Sequence, residues 1–126
     1  MQEYRIENVF DGEVKLNDQN QSHDFNFDLD YTVDASCPGM ILIRATGVDY
    51  TKNRVALNDN FIGYLRSGES THLFETDNGR YGRLKEKGNT VVILVCDAWG
   101  DRKSVANLNV DDITIYNIDV AYVSKP

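Results

Sequence analysis

Hydrophobic and polar residues alternate along much of this chain, and the clearest alternation covers residues 25–33. One face of this segment carries Phe25, Phe27, Leu29, Tyr31 and Val33. The four residues between them are polar and two of them are acidic, so a period of two predicts a strand with one buried and one solvated face. We interpret the acidic face as a solvated surface that resists aggregation rather than as a cation site.

The stretch from residue 88 to residue 122 contains the strongest core signals. An apolar run at residues 91–96 is too short to span a membrane and predicts a central strand buried on both faces. A polar loop with the only tryptophan, Trp99, follows it. The closing strand then alternates, with a one-residue slip after the second isoleucine, through Ile113, Ile115, Ile118, Val120 and Tyr122.

Further short strands are predicted at residues 4–10, 13–16, 40–45, 54–57, 61–65 and 71–75. Asp11 and Gly12 indicate a hairpin turn, and Asn58-Asp59-Asn60 indicate a second one, because Asn and Asp tolerate left-handed dihedrals. No window shows helical apolar spacing with caps. About eight or nine short strands in a single domain, residues 1–126, predict an all-β, antiparallel two-sheet β-sandwich.

Composition and charge narrow the classes of partner. The net charge is -7 and the pI is near 4.7, and the basic residues are scattered, which argues against a nucleic-acid surface and against an anionic membrane. The first residues lack the apolar core of a signal peptide, so we expect a cytoplasmic protein unless another route exports it. Cys37 and Cys96 are then expected to be reduced thiols.

The residues needed for catalysis are missing or far apart. The two histidines, His23 and His72, have no nucleophile motif near them, and the two cysteines form no zinc-binding pair. No phosphate-binding glycine motif is present, and no carboxylate pair is singled out by an apolar setting. The sequence therefore predicts a protein that is not an enzyme.

Three local patterns resemble the galactose-binding-like jelly roll, the β-sandwich of carbohydrate-binding modules and of the sugar-binding domain of family 2 glycoside hydrolases. Residues 55–63 read V-A-L-N-D-N-F-I-G, residues 84–92 read L-K-E-K-G-N-T-V-V, and residues 111–118 read D-D-I-T-I-Y-N-I. They are similar, in the family's order, to its L-N-G hairpin, its L-K-x-G-x-N-T strand start and its closing D-D-F-x-I-x-N-I strand. Asp59 stands where the family's turn usually carries Gly. The resemblance implies a jelly roll with a binding role.

Successive loops of an antiparallel sandwich alternate between its two ends, which predicts that loops 47–53, 66–70 and 98–110 lie together. We expect a carbohydrate site there, because an aromatic ring can stack on the C–H face of a sugar while polar groups bond its hydroxyls. The candidate residues are Asp49, Tyr50, Arg66, Trp99, Asp101 and Arg102. Two alternatives stay open: Trp99 as a plug over the core, and Asp101-Arg102 as a solvated pair that fixes a loop.

Family members often hold a structural calcium between the sheet edges, so the resemblance implies one here. Its oxygen ligands would come from Glu7, Asp11, Asp111 and Asp112, since calcium takes six to eight oxygens. The alternative stays open that Asp111-Asp112 simply starts a strand and binds no ion.

Two functions from different classes follow. The first is a non-catalytic binding module for carbohydrate. The alternative is a structural or assembly subunit, of the kind found in phage particles and secretion machines, which works through protein contacts, including contacts between copies of this chain.

Overall fold

Eight antiparallel strands make up the regular structure of the computed structural model, which describes residues 2–76, 83–101 and 109–126. In chain order they are β1 Glu3–Leu16, β2 Ser22–Phe27, β3 Met40–Thr46, β4 Arg54–Leu57, β5 Asn60–Tyr64, β6 Thr71–Glu75, β7 Asn89–Leu94 and β8 Ile113–Ser124. Within these ranges we find no helix, and so none that is long and apolar enough to cross a membrane.

The strands form two four-stranded sheets, which we call sheet A and sheet B. Sheet A has the order β1-β8-β3-β6, and sheet B has the order β2-β7-β4-β5. The pairing is nested: β1 pairs with β8, β2 with β7, β3 with β6 and β4 with β5. The predicted all-β, two-sheet antiparallel sandwich is confirmed.

The core lies between the inner faces of the two sheets. Alternate residues of each strand point into it, as the period of two requires. Its fully buried aliphatic side chains include Ile41 and Ile43 from sheet A and Val55, Leu57 and Ile93 from sheet B. The one-residue slip predicted in the closing strand is present as a register shift of β8 against β3 between Arg44 and Ala45.

The hairpin predicted at Asp11-Gly12 is wrong. Residues 3–16 form one long strand, and both of its halves pair with β8. The pairing of β1 with β8 shifts register between Asn8 and Phe10 and again between Asp11 and Val14. The residues of the expected turn are therefore irregularities within the strand. The strand stays continuous because Phe10 and Val14, one on each side of Asp11-Gly12, pack against the same core.

The strand predicted over residues 25–33 is shorter than expected. Phe25, Phe27 and Leu29 are buried as predicted, but β2 ends at Phe27, opposite Asn89, the first residue of β7. Beyond that point the Leu29 N–H donates to the Glu86 carbonyl at 2.7 Å instead of to a neighbouring strand. The segment therefore leaves the sheet where its partner strand begins.

The expectation that the apolar run at residues 91–96 is buried on both faces is also wrong in part. β7 does lie inside sheet B, between β2 and β4. Its inner residues Val91 and Ile93 are fully buried, whereas Val92 and Leu94, on the outer face, are only partly buried. An apolar strip is therefore left on the outer surface of sheet B.

Candidate functional site

Asp111 joins the loops at one end of the sandwich. Its side chain is 3% exposed, and Oδ2 accepts hydrogen bonds from the N–H groups of Asp49 and Tyr50, each at 3.0 Å, and from Asn53 Nδ2 at 2.7 Å. Oδ1 accepts from the N–H of Asp112 at 2.9 Å. One buried carboxylate thus fixes the start of β8 to the loop before β4.

The loop between β5 and β6 closes against the same group. The Gly68 N–H donates to the Val48 carbonyl at 2.8 Å, and Ser67 Oγ donates to the Asp49 carbonyl at 2.9 Å. At the opposite end, Asn58 Nδ2 donates to the Arg83 carbonyl at 2.8 Å. These bonds confirm the predicted alternation of loops for the parts of the chain that the structure describes.

Trp99 lies at the tip of a tight loop that follows β7. Asp97 fixes this loop, because its Oδ1 accepts from the N–H groups of Trp99 at 2.8 Å and Asp101 at 2.9 Å. The backbone of residue 97 also bonds with Asp101 and with Gly100. The indole is 79% exposed, so the interpretation of Trp99 as a plug over the core is wrong.

The other predicted binding residues are only partly brought together. Asp49 and Tyr50 are adjacent in the loop fixed by Asp111, and Tyr50 is partly buried. Arg66 and Asp101 are exposed. Arg102 lies outside the described residues.

The four residues named as calcium ligands do not form one cluster. Glu7 accepts hydrogen bonds from the Asp30 N–H and from the Tyr122 hydroxyl, and Asp111 is occupied by loop N–H groups. Asp11 and Asp112 are both exposed. No group of three or more His, Cys, Asp or Glu side chains within the described ranges could hold a metal ion. The calcium implied by the resemblance stays a prediction.

Two buried polar atoms near this end have no hydrogen-bond partner among the described atoms: His72 Nε2 and Asp97 Oδ2. His72 Nδ1 accepts from the Arg66 N–H at 3.0 Å, which makes Nε2 the protonated nitrogen of the neutral ring. Burial lowers the pKa of His72, because the charged ring would lose its hydration. The ring is a neutral, structural member of the inner face of β6.

The outer face of sheet B carries a feature that the sequence did not reveal. β5 pairs with β4 through a register shift, in which Val55 faces Gly63 but Ala56 faces Phe61. Ile62 is the extra residue, so Phe61 and Tyr64 emerge on the same outer face although they are three positions apart. Their ring centroids are 4.9 Å apart, with the ring planes inclined at 62°.

These rings border a groove of about 360 Å³ on the outer face of sheet B, which we call the sheet B groove. Its residues come from three neighbouring strands and the β4–β5 turn: Arg54, Ala56, Asp59, Phe61, Tyr64, Val92 and Leu94. The apolar strip of β7 forms the floor. Phe61 is 53% exposed and Tyr64 is 38% exposed, so both rings are available to a ligand.

Lys52 connects the sheet B groove to the Trp99 loop. Its Nζ lies 4.9 Å from the centroid of the Tyr64 ring, over the ring face. The methylenes of Lys52 lie against Gly100, where an added Cβ would be 3.3 Å from Lys52 Cβ and Cγ. Trp99 therefore lies in the loop directly beside the Tyr64 end of the groove.

Sequence reasoning missed Phe61, Tyr64, Lys52 and Arg54 as candidate site residues. One signal pointed to the rings, because Phe61 and Tyr64 both lie in the strand that follows a tight hairpin turn. Another pointed to the groove floor, because one core face can bury only alternate residues of the apolar run at 91–96. The bulge at Ile62, which brings the two rings to one face, leaves no mark in the hydrophobic pattern.

No protein-family model matches the chain, and the search of the curated proteins gives no match. The fold and the site geometry are therefore the basis for the function proposed below.

Proposed function

We propose that this protein is a non-catalytic carbohydrate-binding module that holds its ligand in the sheet B groove and against the adjoining Trp99 loop. The observation that carries the proposal is the pair of exposed rings, Phe61 and Tyr64, set beside an apolar floor with polar groups at the rim. Sites for small ligands combine a largely apolar concave surface with a few polar groups that fix orientation.

The chemistry of this groove suits a sugar better than a fully apolar ligand. The C–H face of a sugar ring can stack on Phe61 or Tyr64, and its hydroxyls can bond to the side chains of Arg54 and Asp59. A purely hydrophobic ligand would leave those charged groups desolvated without partners.

The inclination of the two rings favours a free glycan chain over a flat crystalline polymer surface. Two rings whose planes differ by 62° cannot both lie flat on one planar face. Successive sugars of a chain are turned relative to each other, so each can stack on a differently oriented ring. The module is therefore expected to bind soluble oligosaccharides.

The nested strand pairing supports the galactose-binding-like jelly-roll assignment that the sequence motifs imply. A jelly roll is an eight-stranded double sheet in which strands of the first half of the chain pair with those of the second half. The order β1-β8-β3-β6 over β2-β7-β4-β5 has this property. Fold alone does not fix function, so the sugar assignment depends on the groove.

The test is binding to an array of oligosaccharides, followed by titration calorimetry with the best ligand. Phe61→Ala, Tyr64→Ala and Trp99→Ala should each fold normally, because none of the three side chains belongs to the buried core. Each should weaken binding at least tenfold. Leu73→Ala is the matched control, since Leu73 is an exposed apolar residue on the outer face of sheet A. Binding that all three ring variants retain would contradict the proposal, as would no binding by the wild type.

A second candidate function is supported by the outer face of sheet A. Tyr4 and Ile6 on β1 are 89% and 77% exposed, and Met40 and Leu73 on the other side of β8 are also exposed. Ile6 and Met40 both pair with Ala121, so apolar side chains follow one row across β1, β8 and β3. An exposed apolar surface of this kind is typical of a protein interface, which favours the structural or assembly role.

Light scattering after size-exclusion chromatography separates the two functions. A stable oligomer that Ile6→Glu dissociates, together with no glycan binding, would favour the assembly role. A monomer that binds glycans would favour the binding module. Tyr116→Ala, an exposed residue on β8 outside this row, is the control for the chromatography.

A further inference from the structure

We propose that the sheet B groove recognises an acidic glycan, with the carboxylate of a uronate residue at its Tyr64 end and a neutral sugar at its Phe61 end. This inference rests on the proposed carbohydrate-binding function and names the class of its ligand.

Two cations flank the Tyr64 end of the groove. Arg54 lines the groove and lies opposite Tyr64 on one side and Leu94 on the other. Lys52 precedes it by two positions, and the residue between them, Asn53, is fully buried. Lys52 Nζ lies over the Tyr64 ring and Arg54 lines the groove, so both side chains are on the outer face of sheet B.

Neither cation is neutralised by a carboxylate within the part of the chain that the structure describes. The ion pairs found there join Arg5 to Glu3 and Lys15 to Glu13. The Lys52 ammonium instead lies over the Tyr64 ring. In a chain with a net charge of -7, two unneutralised cations beside an exposed ring form a local site for an anion.

The acidic side chains of this face lie at the other end. Asp59 is in the β4–β5 turn beyond Phe61. Asp24 on β2 belongs to the same row of paired residues across sheet B as Phe61, because Asp24 pairs with Val92, Val92 with Ala56, and Ala56 with Phe61. The row of paired residues that contains Tyr64, Arg54 and Leu94 reaches β2 at Ser22, which is uncharged. Among the residues of the strands and turn that form this face, the positive charge thus lies at the Tyr64 end and the negative charge at the Phe61 end. The exposed Asp101 belongs to the Trp99 loop beside the Tyr64 end.

This polarity determines how an acidic chain would lie. A uronate ring stacked on Tyr64 presents its carboxylate to Arg54, whose guanidinium can form two parallel hydrogen bonds with it, and to the Lys52 ammonium. A second uronate over Phe61 would meet Asp59 and be repelled. We therefore expect a preference for chains in which uronate and neutral sugars alternate.

The test uses a matched pair of ligands: oligosaccharides with alternating uronate and neutral sugars, and the same oligosaccharides after chemical reduction of their carboxyl groups to hydroxymethyl groups. Wild-type protein should bind the acidic form about five- to tenfold more tightly at low salt, as expected for one or two solvent-accessible ion pairs. The preference should fall as salt is raised to physiological levels and beyond.

Lys52→Gln and Arg54→Gln should each reduce the ratio of the affinity for the acidic form to the affinity for the reduced form. This ratio is the readout, because Arg54 also bonds sugar hydroxyls in the proposed site. Arg44→Gln is the control, because Arg44 is an exposed cation on the outer face of sheet A. Sulfated neutral oligosaccharides form a third arm, which distinguishes a carboxylate site from a general anion site.

The outcomes separate this inference from the proposed function. Equal binding of acidic and reduced forms, or tighter binding of sulfated ones, would overturn the uronate assignment while the binding module stands. Binding of neither form, together with no binding to any member of the oligosaccharide array, would overturn the binding module itself. A preference for the acidic form that both glutamine variants remove supports the inference.

Discussion

Replacing Asp111 with alanine is expected to destabilise the fold by about 3 kcal/mol, although the residue lies at the edge of the core. The loss has two sources. Asn53 Nδ2, on a side chain that is fully buried, would lose its 2.7 Å partner and keep only its 3.4 Å bond to the Tyr50 carbonyl, and a buried N–H without a partner costs about 1–3 kcal/mol. The N–H groups of Asp49 and Tyr50 are only partly buried, so water can replace the carboxylate there and each loses about 0.5 kcal/mol.

Asp111→Asn should lose less, about 1–2 kcal/mol. An amide oxygen can still accept at the position of Oδ2, but the amide nitrogen would then face the Asp112 N–H, which donates to Oδ1 at 2.9 Å in the wild type. The expected order of stability is therefore wild type, then Asn, then Ala.

Urea unfolding followed by circular dichroism measures these differences. The slope of the unfolding free energy against urea concentration should be the same for the wild type and the variants. Asp112→Ala is the matched control, since it removes an exposed carboxylate from the next position and should change the free energy of unfolding by less than about 0.5 kcal/mol. EDTA in all samples removes any contribution of a bound divalent ion. Equal stabilities for Asp111→Ala and Asp112→Ala would refute the role given to this carboxylate.

Three further predictions concern pH, backbone conformation and thiol reactivity. Burial lowers the pKa of His72 below 6.5, so below pH 6.5 the unfolded chain binds more protons than the folded protein. The folded protein therefore loses stability as pH falls through 6.5. The unfolding midpoint should change less between pH 7 and pH 5 in His72→Leu than in the wild type. Gly47 and Gly68 have φ of 79° and 78°, but a Cβ at Gly47 would lie 2.7 Å from a backbone carbonyl oxygen, whereas nothing lies within 4 Å of one at Gly68. Thermal unfolding should show Gly47→Ala losing clearly more than the roughly 1 kcal/mol expected for Gly68→Ala, and equal losses would contradict the crowding. Cys37 is partly buried and Cys96 is buried, so a thiol reagent should modify Cys37 in the native protein and Cys96 only on unfolding, as peptide mass mapping can check.

The fold could be predicted where burial imposes a simple period. Phe25, Phe27 and Leu29 are buried as their alternation indicated, and the slip before Ile118 corresponds to an observed register shift. The prediction failed at Asp11-Gly12, because local turn chemistry competes with long-range pairing and β8 is long enough to hold both halves of β1.

The site could be predicted only in part, for a related reason. Grouping the loops needed no more than the alternation of antiparallel strands, and the loop at 47–53 does bond to Asp111, the residue that follows the loop at 98–110. The pairing of Phe61 with Tyr64 needed the bulge at Ile62, which depends on how β4 and β5 fit the core. Asp111 was predicted to be a calcium ligand because it carries carboxylate oxygens. In the structure those oxygens accept hydrogen bonds from neighbouring N–H groups.

The nested pairing has a consequence for synthesis on the ribosome. β8 lies between β1 and β3, so neither of them has its full set of partners until residues 113–124 have been translated. Sheet A is therefore completed after translation of β8, and the long sequence separation of β1 and β8 makes this step slow. Until then both edges that β8 will cover are open to other chains, so a chaperone that shields β1 and β3 should raise the yield of folded protein.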